Sequence, residues 1–249
     1  MDRYKIVCKI MIFVCICTFA TQTASAYSYS VTIIENYSVL NSLAPHGTEN
    51  YGIVENWLHD VAGWNEYFYD SETNVDETDF GTLDSGYQGL DDADFHYHLG
   101  HGVDDIGTEI ALYNWLPGYN YNDVRAQDVY KKWDNNNEWV LLHSCHILDD
   151  YNDWAGALEY SHGILGFTTE AFTNEELVDK FFTYTIDDDD EICDAWWFAT
   201  VETFESPVRA AMIADTDNQY VYDHLNGQGT MQPDEYPDDS LYAYGSWRC

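Results

Sequence analysis

The chain has 249 residues and is strongly acidic, with 45 Asp and Glu residues against nine Lys and Arg residues. Its formal net charge of −36 repels polyanions, so the composition excludes nucleic acid as a partner and argues against docking on an anionic membrane. Aromatic residues make up 16% of the chain, which favours a folded core over disorder.

The first 26 residues have the pattern of a secretory signal peptide. Three basic residues precede a largely apolar run at residues 10–20, and residues 24–26 (Ala-Ser-Ala) are typical of a cleavage site. The apolar run is too short to span a bilayer. We therefore predict an exported protein, secreted or at the cell surface, with residues 27–249 as its mature chain. No membrane insertion is expected after the signal is removed.

Strand-like and helix-like segments alternate along the mature chain, which predicts a single α/β domain with a mainly parallel sheet. We expect strands at residues 30–35, 66–69, 94–99, 139–143, 163–168 and 209–214. We expect helices at residues 49–64, 123–133, 151–160, 174–184 and 192–204, with Asn174 as an N-cap. From about residue 215 the tail is rich in Gly, Pro, Asp and Tyr and is predicted to be irregular, with a hairpin around residues 220–222.

A histidine and a cysteine follow two successive core strands of this prediction. His101 and Gly102 come directly after strand 94–99, and Cys145 comes after strand 139–143. Open α/β sheets bind ligands beyond the carboxyl ends of their strands. If the two strands are neighbours, His101 and Cys145 emerge at the same edge of the sheet.

The number of cysteines also draws attention to Cys145. Cys145, Cys193 and Cys249 are the cysteines of the mature chain, and an odd count in an exported protein leaves one thiol unpaired. If Cys193 and Cys249 form a disulfide, which the sequence does not establish, Cys145 is the free thiol. A buried structural thiol is the alternative interpretation of Cys145.

These residue types suit nucleophilic catalysis. A cysteine thiolate attacks a carbonyl carbon, and a neighbouring imidazole takes up the thiol proton and later returns it to the leaving group. We predict Cys145 as nucleophile and His101 as general acid/base. The backbone N–H groups of Gly102 and Cys145 are the predicted oxyanion donors.

The arrangement resembles the caspase–gingipain group of cysteine peptidases, in which a His-Gly after one hydrophobic strand and a Cys after the next form the catalytic dyad. His101-Gly102 and Cys145 match those positions, and the fuller pattern is similar to an uncharacterised family of exported caspase-like proteins. The resemblance implies a caspase-like three-layer sandwich around a six-stranded sheet, and an endopeptidase without a cofactor that acts on polypeptides. The sequence around Cys145, His-Ser-Cys-His-Ile, departs from the caspase Gln-Ala-Cys followed by Gly, so aspartate specificity is not implied.

Two other classes of function remain open. A zinc-dependent hydrolase would use several potential ligands in two short segments, namely His96, His98, His101, His143, Cys145 and His146. A non-catalytic exported binding or envelope protein would use the charged, tyrosine-rich surface. Iodoacetamide labelling, metal analysis and replacement of Cys145 distinguish these classes from the peptidase.

The acidic charge itself has two explanations. The first is adaptation to high salt, because salt screens the self-repulsion of a highly charged chain. Calcium binding by acidic clusters such as residues 187–191 (Asp-Asp-Asp-Asp-Glu) is the second, since Ca²⁺ prefers carboxylate oxygens. The two are compatible.

Overall fold

A seven-stranded sheet forms the centre of the structure, a computed structural model that describes residues 27–83, 86–104, 107–119, 121–234 and 242–249. The predicted signal peptide, residues 1–26, lies outside the described residues. In spatial order the strands are β2 (Asn65–Ser71), β1 (Ser28–Ile33), β3 (Phe95–Leu99), β7 (Trp139–His143), β8 (Gly163–Phe167), β9 (Arg209–Ala214) and β10 (Ala243–Arg248).

Most strand pairs in this sheet are parallel. The pairs β1–β2, β1–β3, β3–β7 and β7–β8 run parallel, whereas β8–β9 and β9–β10 run antiparallel. The predicted α/β class with a mainly parallel sheet is therefore confirmed. The predicted count of six strands was one too low, because residues 243–248, in the tail predicted to be irregular, pair with β9 and cover its edge.

A second, three-stranded sheet contradicts one predicted helix. It comprises β4 (Gly102–Asp104), β5 (Thr108–Ala111) and β6 (Asp123–Arg125), so residues 123–133 are not helical as predicted. Arg125 lies opposite Glu109 in the β5–β6 pair, and its Nη2 is 2.7 Å from carboxylate oxygens of both Glu109 and Asp123. This tertiary ion pair requires an extended Arg125, which local helix propensity does not reveal. A 3-10 turn, Ala126–Asp128, follows.

The described residues form five α-helices around the large sheet. They are α1 (His46–Glu55), α2 (Tyr151–Ala155), α3 (Glu175–Phe182), α4 (Ile192–Thr203) and α5 (Asp217–Tyr222). Single π-helical segments extend α1 and α3, at Asn56–Val61 and Thr183–Asp187. The predicted cap at Asn174 is confirmed, since its side chain accepts a hydrogen bond from Glu176 N at 2.9 Å. Helix α2 is shorter than the helix predicted at residues 151–160. Helix α5 forms where a hairpin was predicted, around residues 220–222.

The core lies on both faces of the large sheet. Because side chains alternate along a strand, Trp139 and Leu141 of β7 pack under α1, α3 and α4, whereas Val140 and Leu142 pack under α2, the 3-10 turns and the small sheet. All five residues of β7 are buried, as expected for a strand covered on both faces. None of the helices in the described residues is long and apolar enough to cross a membrane.

Candidate active site

The predicted catalytic residues lie at the same edge of the large sheet. Strands β3 and β7 are parallel neighbours, with Leu99 paired to His143 at their carboxyl ends. His101 follows β3 by two residues and Cys145 follows β7 by two residues. The Ser144 hydroxyl joins the two segments by donating to the carbonyl of Gly100 at 2.9 Å. The register of the two strands therefore brings the His101 and Cys145 segments side by side.

Gly102 packs directly against the backbone of Cys145. A Cβ atom at Gly102 would overlap the Cys145 carbonyl oxygen and would lie 2.8 Å from the carbonyl carbon and 3.0 Å from the nitrogen of Cys145. Only a residue without a side chain allows this backbone approach. The close approach explains why glycine follows His101 in the sequence.

The imidazole of His101 is held from two sides. Its Nε2–H donates to the carbonyl of Asn41 at 2.8 Å, and its ring lies against Tyr37 with 4.8 Å between the ring centroids. The Tyr37 hydroxyl also accepts from the backbone N–H of His101 at 2.7 Å. Because a carbonyl only accepts hydrogen bonds, the neutral ring carries its proton on Nε2, and Nδ1 keeps the lone pair of a base.

The Cys145 thiol is half-buried and contacts a different segment. Its Sγ donates to the carbonyl of Ala171 at 3.4 Å and lies 3.4 Å from Ala171 N. Burial raises the pKa of Cys145 above its ordinary value; the Ala171 contact opposes this shift and the Glu170 charge adds to it. The side chains of His101 and Cys145 do not hydrogen-bond to each other in this structure. The resting site therefore holds a protonated thiol.

A sharp backbone turn follows Cys145. His146 has a φ of 62°, in the left-handed region that non-glycine residues rarely adopt, and its N–H donates to the carbonyl of Thr169 at 3.1 Å. The chain then enters a 3-10 helix, Ile147–Asp150. Backbone strain of this kind is concentrated at functional sites. The turn points the chain away from the sheet edge immediately after Cys145.

The zinc alternative depends on histidines that the structure places in the core. His96 lies between the hydroxyls of Ser30 and Thr32, at 2.8 and 3.0 Å, and His98 Nδ1 is 2.9 Å from the Thr32 hydroxyl. His143 Nε2–H donates to the carbonyl of Phe172 at 3.2 Å. His96 and His98 share the Thr32 hydroxyl, but among the described residues neither they nor His143 belong to a group with metal-ligand spacing.

Burial also keeps these core histidines neutral. It lowers the pKa of His96 well below its usual value, that of His98 to about 3 and that of His143 to about 4. Neutral, hydrogen-bonded rings are structural parts of the sheet. The acidic residues 187–191 do not form a group with metal-ligand geometry in the described chain, and calcium binding there stays a prediction.

The structure adds three residues that sequence reasoning missed. Tyr37, Asn41 and Ala171 contact His101 or Cys145, yet they come from loops far away in the sequence. The contacts of Asn41 and Ala171 use only backbone groups, which leave no signature in residue type. Cys145, Cys193 and Cys249 are all free in the structure, so the disulfide between Cys193 and Cys249 considered from the sequence is not present.

A family model covers nearly the whole described chain. Residues 31–247 match the family described as "Domain of unknown function (DUF6345)". The chain belongs to this family. The match includes His101, Gly102 and Cys145 of this DUF6345 member, but the family description assigns them no activity. No curated protein matches the chain.

Two solved structures are similar to the chain. One is a secreted C11 cysteine protease from Bacteroides thetaiotaomicron, "iotapain", with 12% identity, a TM-score of 0.44 and coverage of 76% of this chain and 67% of that one. The other is an inactive zymogen C11 protease from Parabacteroides distasonis, with 14% identity, a TM-score of 0.41 and coverage of 76% and 62%. The aligned part is thus less than two thirds of the second protein.

The contact between Gly102 and Cys145 leads to a testable prediction. We expect Gly102→Ala to lower the free energy of unfolding by about 1–3 kcal/mol, because the added methyl group forces the two backbone segments apart. Any hydrolytic activity should fall as well, since the position of Cys145 shifts. Chemical denaturation measures the first effect.

The matched control for this prediction is Gly52→Ala. Gly52 lies within α1, and no atom lies within 4 Å of the position its Cβ would take. The same substitution there should be neutral or stabilise by up to about 1 kcal/mol. Equal stabilities of the two variants would contradict the close approach at Gly102.

Proposed function

We propose that this protein is an exported cysteine hydrolase that cleaves polypeptides, with Cys145 as nucleophile and His101 as general acid/base. The observation that carries the proposal is the packing of Gly102 on the Cys145 backbone at the carboxyl edge of β3 and β7. This contact brings the backbone of the residue after His101 against the backbone of Cys145, which supports pairing the His101 imidazole with the half-buried Cys145 thiol. Each has the residue type that the reaction requires.

The chemistry follows from the protonation states. As a substrate carbonyl approaches, His101 Nδ1 takes the proton from Cys145 Sγ, and the sulfur forms a bond to the carbonyl carbon. The backbone N–H groups of Gly102 and Cys145 are the proposed donors to the oxyanion. The imidazolium then protonates the leaving amine, the C–N bond breaks, and a thioester remains. Water, deprotonated by Nδ1, hydrolyses the thioester and restores the thiol.

The Asn41 carbonyl has a defined part in this cycle. When Nδ1 gains a proton the ring becomes cationic, and the hydrogen bond from Nε2 to the Asn41 carbonyl strengthens. The bond also prevents the ring from rotating to present Nε2 to the sulfur. Asn41 thus acts through His101 as a positioning residue, by its main chain alone.

The resting site requires a rearrangement before reaction. The Ala171 carbonyl holds the thiol proton, and the neighbouring Phe172 side chain is 73% exposed. A bound peptide would have to break the Ala171 contact for the S–H group to turn toward His101. We therefore propose that substrate binding, rather than a pre-formed ion pair, activates Cys145.

Alkylation rates test this resting state. We expect iodoacetamide to modify Cys145 slowly at neutral pH and progressively faster above the ordinary thiol pKa of about 8.5, because the thiolate is the reactive form and burial raises the pKa. Mass spectrometry from pH 6 to 10 gives the rate at each cysteine. Cys193 and Cys249 provide internal comparisons, since burial raises their pKa too. A Cys145 rate that is already maximal at pH 7 would contradict the protonated resting thiol.

Cleavage itself tests the function. The full chain is incubated with unfolded proteins of diverse sequence, new amino termini are identified by mass spectrometry, and a peptidyl ketone electrophile is used to trap the nucleophile. The proposal predicts cleavage and trapping at Cys145 only. Absence of both in a folded preparation, over a range of salt concentrations, would favour the non-catalytic binding protein.

A further inference from the structure

A second polar cluster lies at the amino-terminal edge of the sheet, opposite Cys145. Glu138 and His162 directly precede β7 and β8, whereas Asp223 and Asp234 follow α5. His162 is 0% exposed, and its Nε2 lies 3.0 Å from Glu138 Oε2 and 3.3 Å from Asp234 Oδ1. The ligand atoms of Glu138, His162 and Asp234 all lie within 4.8 Å of one another.

The other nitrogen of His162 is fixed by a buried carboxylate. Asp223 Oδ2 lies 2.6 Å from His162 Nδ1. Asp223 is itself held by Trp139 Nε1–H at 2.7 Å and by the backbone N–H of Gln232 at 2.7 Å. Metal-binding histidines commonly donate their second ring N–H to a carboxylate in this way, which orients the ring and fixes its tautomer. Nε2 is thereby directed at Glu138 and Asp234.

One oxygen in the cluster lacks a hydrogen-bond donor. Glu138 Oε2 is fully buried, and no hydrogen bond reaches it from the described residues, although Nε2 is close. A buried carboxylate oxygen requires a donor or a cation. The separations of 3.0 and 3.3 Å also match the distance of about 3.3 Å between neighbouring ligands of a tetrahedral ion with bonds of about 2.0 Å.

The negative charge of this cluster also favours a bound cation. Three carboxylates surround one imidazole, so even a protonated ring leaves net negative charge at a largely buried position. The cluster therefore attracts positive charge strongly, and a divalent cation supplies twice as much as a proton.

We propose that Glu138, His162 and Asp234 bind a divalent metal ion of the zinc class, with Asp223 orienting the imidazole. An imidazole nitrogen with two carboxylate oxygens is a ligand set for Zn²⁺, whereas Ca²⁺ and Mg²⁺ prefer oxygen ligands alone. The Asp234 side chain is 59% exposed and leaves the ion a route from solvent. The site does not depend on the proposed hydrolase activity.

The role of this ion would be structural. Glu138 and His162 belong to the sheet, whereas Asp234 lies in the C-terminal part of the chain, so one ion would cross-link the two. The nucleophile lies at the other end of β7, about five residues of extended strand away. Metal binding should therefore change the stability of the fold and the protection of its C-terminal part against proteolysis.

Equilibrium dialysis of metal-free protein against Zn²⁺ tests the site. We expect one Zn²⁺ per chain, a melting temperature that rises with Zn²⁺ concentration, and visible absorption bands of a tetrahedral site when Co²⁺ is used instead. Asp234→Asn and Glu138→Gln should each weaken Zn²⁺ binding by about 10- to 100-fold or more. Asp234→Asn should keep the metal-free melting temperature, because the side chain is mostly exposed.

Glu49→Gln is the matched control. Glu49 belongs to the other His-Glu group with ligand-like spacing, together with His46 and Glu175, but its side chains are 36–48% exposed, whereas the His162 side chain is fully buried. The control should bind Zn²⁺ as the unmodified chain does. Sub-stoichiometric Zn²⁺, unchanged affinity in both cluster variants, or tighter binding of Ca²⁺ than of Zn²⁺ would each overturn the proposal.

Discussion

We expect Cys145→Ala to reduce polypeptide hydrolysis to the background rate, a fall of about 10⁴- to 10⁶-fold in kcat. The sulfur is the atom proposed to form the covalent intermediate, and the other free thiol at this edge of the sheet, Cys249, follows β10, three strands away from β7. The melting temperature should change little, since Cys145 is half-buried and its contacts with Ala171 are long. Initial rates on an unfolded protein substrate, together with thermal denaturation, measure the two effects.

Cys193→Ala is the matched control for this variant. Cys193 is also a half-buried free thiol whose pKa is raised by burial, but it lies on α4 under the large sheet. Its replacement should leave hydrolysis unchanged. If Cys145→Ala retained the activity of the unmodified chain, Cys145 would be a structural thiol and the proposed function would be wrong.

We expect His101→Ala to lower kcat/KM by about 10²- to 10⁴-fold, the usual contribution of a general acid/base. This corresponds to about 3–5 kcal/mol of transition-state stabilisation, at 1.36 kcal/mol for each factor of ten. KM should change little, because the ring is predicted to transfer protons rather than bind the substrate. Residual activity should increase with pH, since the thiolate then forms without a base and the Cys145 pKa lies above its ordinary value.

His59→Gln serves as the control for His101. His59 is an exposed histidine whose Nδ1 lies 3.0 Å from the carbonyl of Trp64, which precedes β2 at the edge of the sheet opposite Cys145. Kinetics of both variants from pH 6 to 10 separate proton transfer from a general loss of structure. An unchanged pH profile in His101→Ala would exclude His101 as the base, even if the rate were lower.

Strand β7 was the easiest element to predict. Residues 139–143 are almost wholly apolar, and a short apolar segment of this kind is typical of a strand that is buried on both faces. Strand β9, residues 209–214, was also predicted with its observed bounds. Both strands are specified by hydrophobic pattern alone, so their positions required no knowledge of their neighbours.

The incorrect predictions concern segments stabilised by distant residues. Residues 123–133 have helical spacing, but Arg125 pairs with Glu109 across the small sheet, and that contact outweighs local propensity. Strand β10 escaped prediction because its residues, 243–248, gain their backbone partners only from β9. In each case the deciding partner lies far away along the chain.

In the candidate site, too, some features follow from the local sequence pattern and others depend on distant residues. The positions of His101 and Cys145 after two hydrophobic strands predicted a shared edge, and the register of β3 and β7 brings their segments together. The contacts with Tyr37, Asn41 and Ala171 could not be predicted. They involve loops, and two of them involve main-chain carbonyls that every residue possesses.

The amino-acid sequence by itself determined the acidic charge, the α/β class and the strand ends that carry His101 and Cys145, because composition and hydrophobic periodicity are local properties. Only the tertiary structure decided which nitrogen of His101 carries the proton, that the Cys145 thiol rests in a protonated state, and that His162 meets three carboxylates. Hydrogen-bond partners and burial set the protonation of a side chain, and both depend on segments that are distant in sequence and adjacent only after folding.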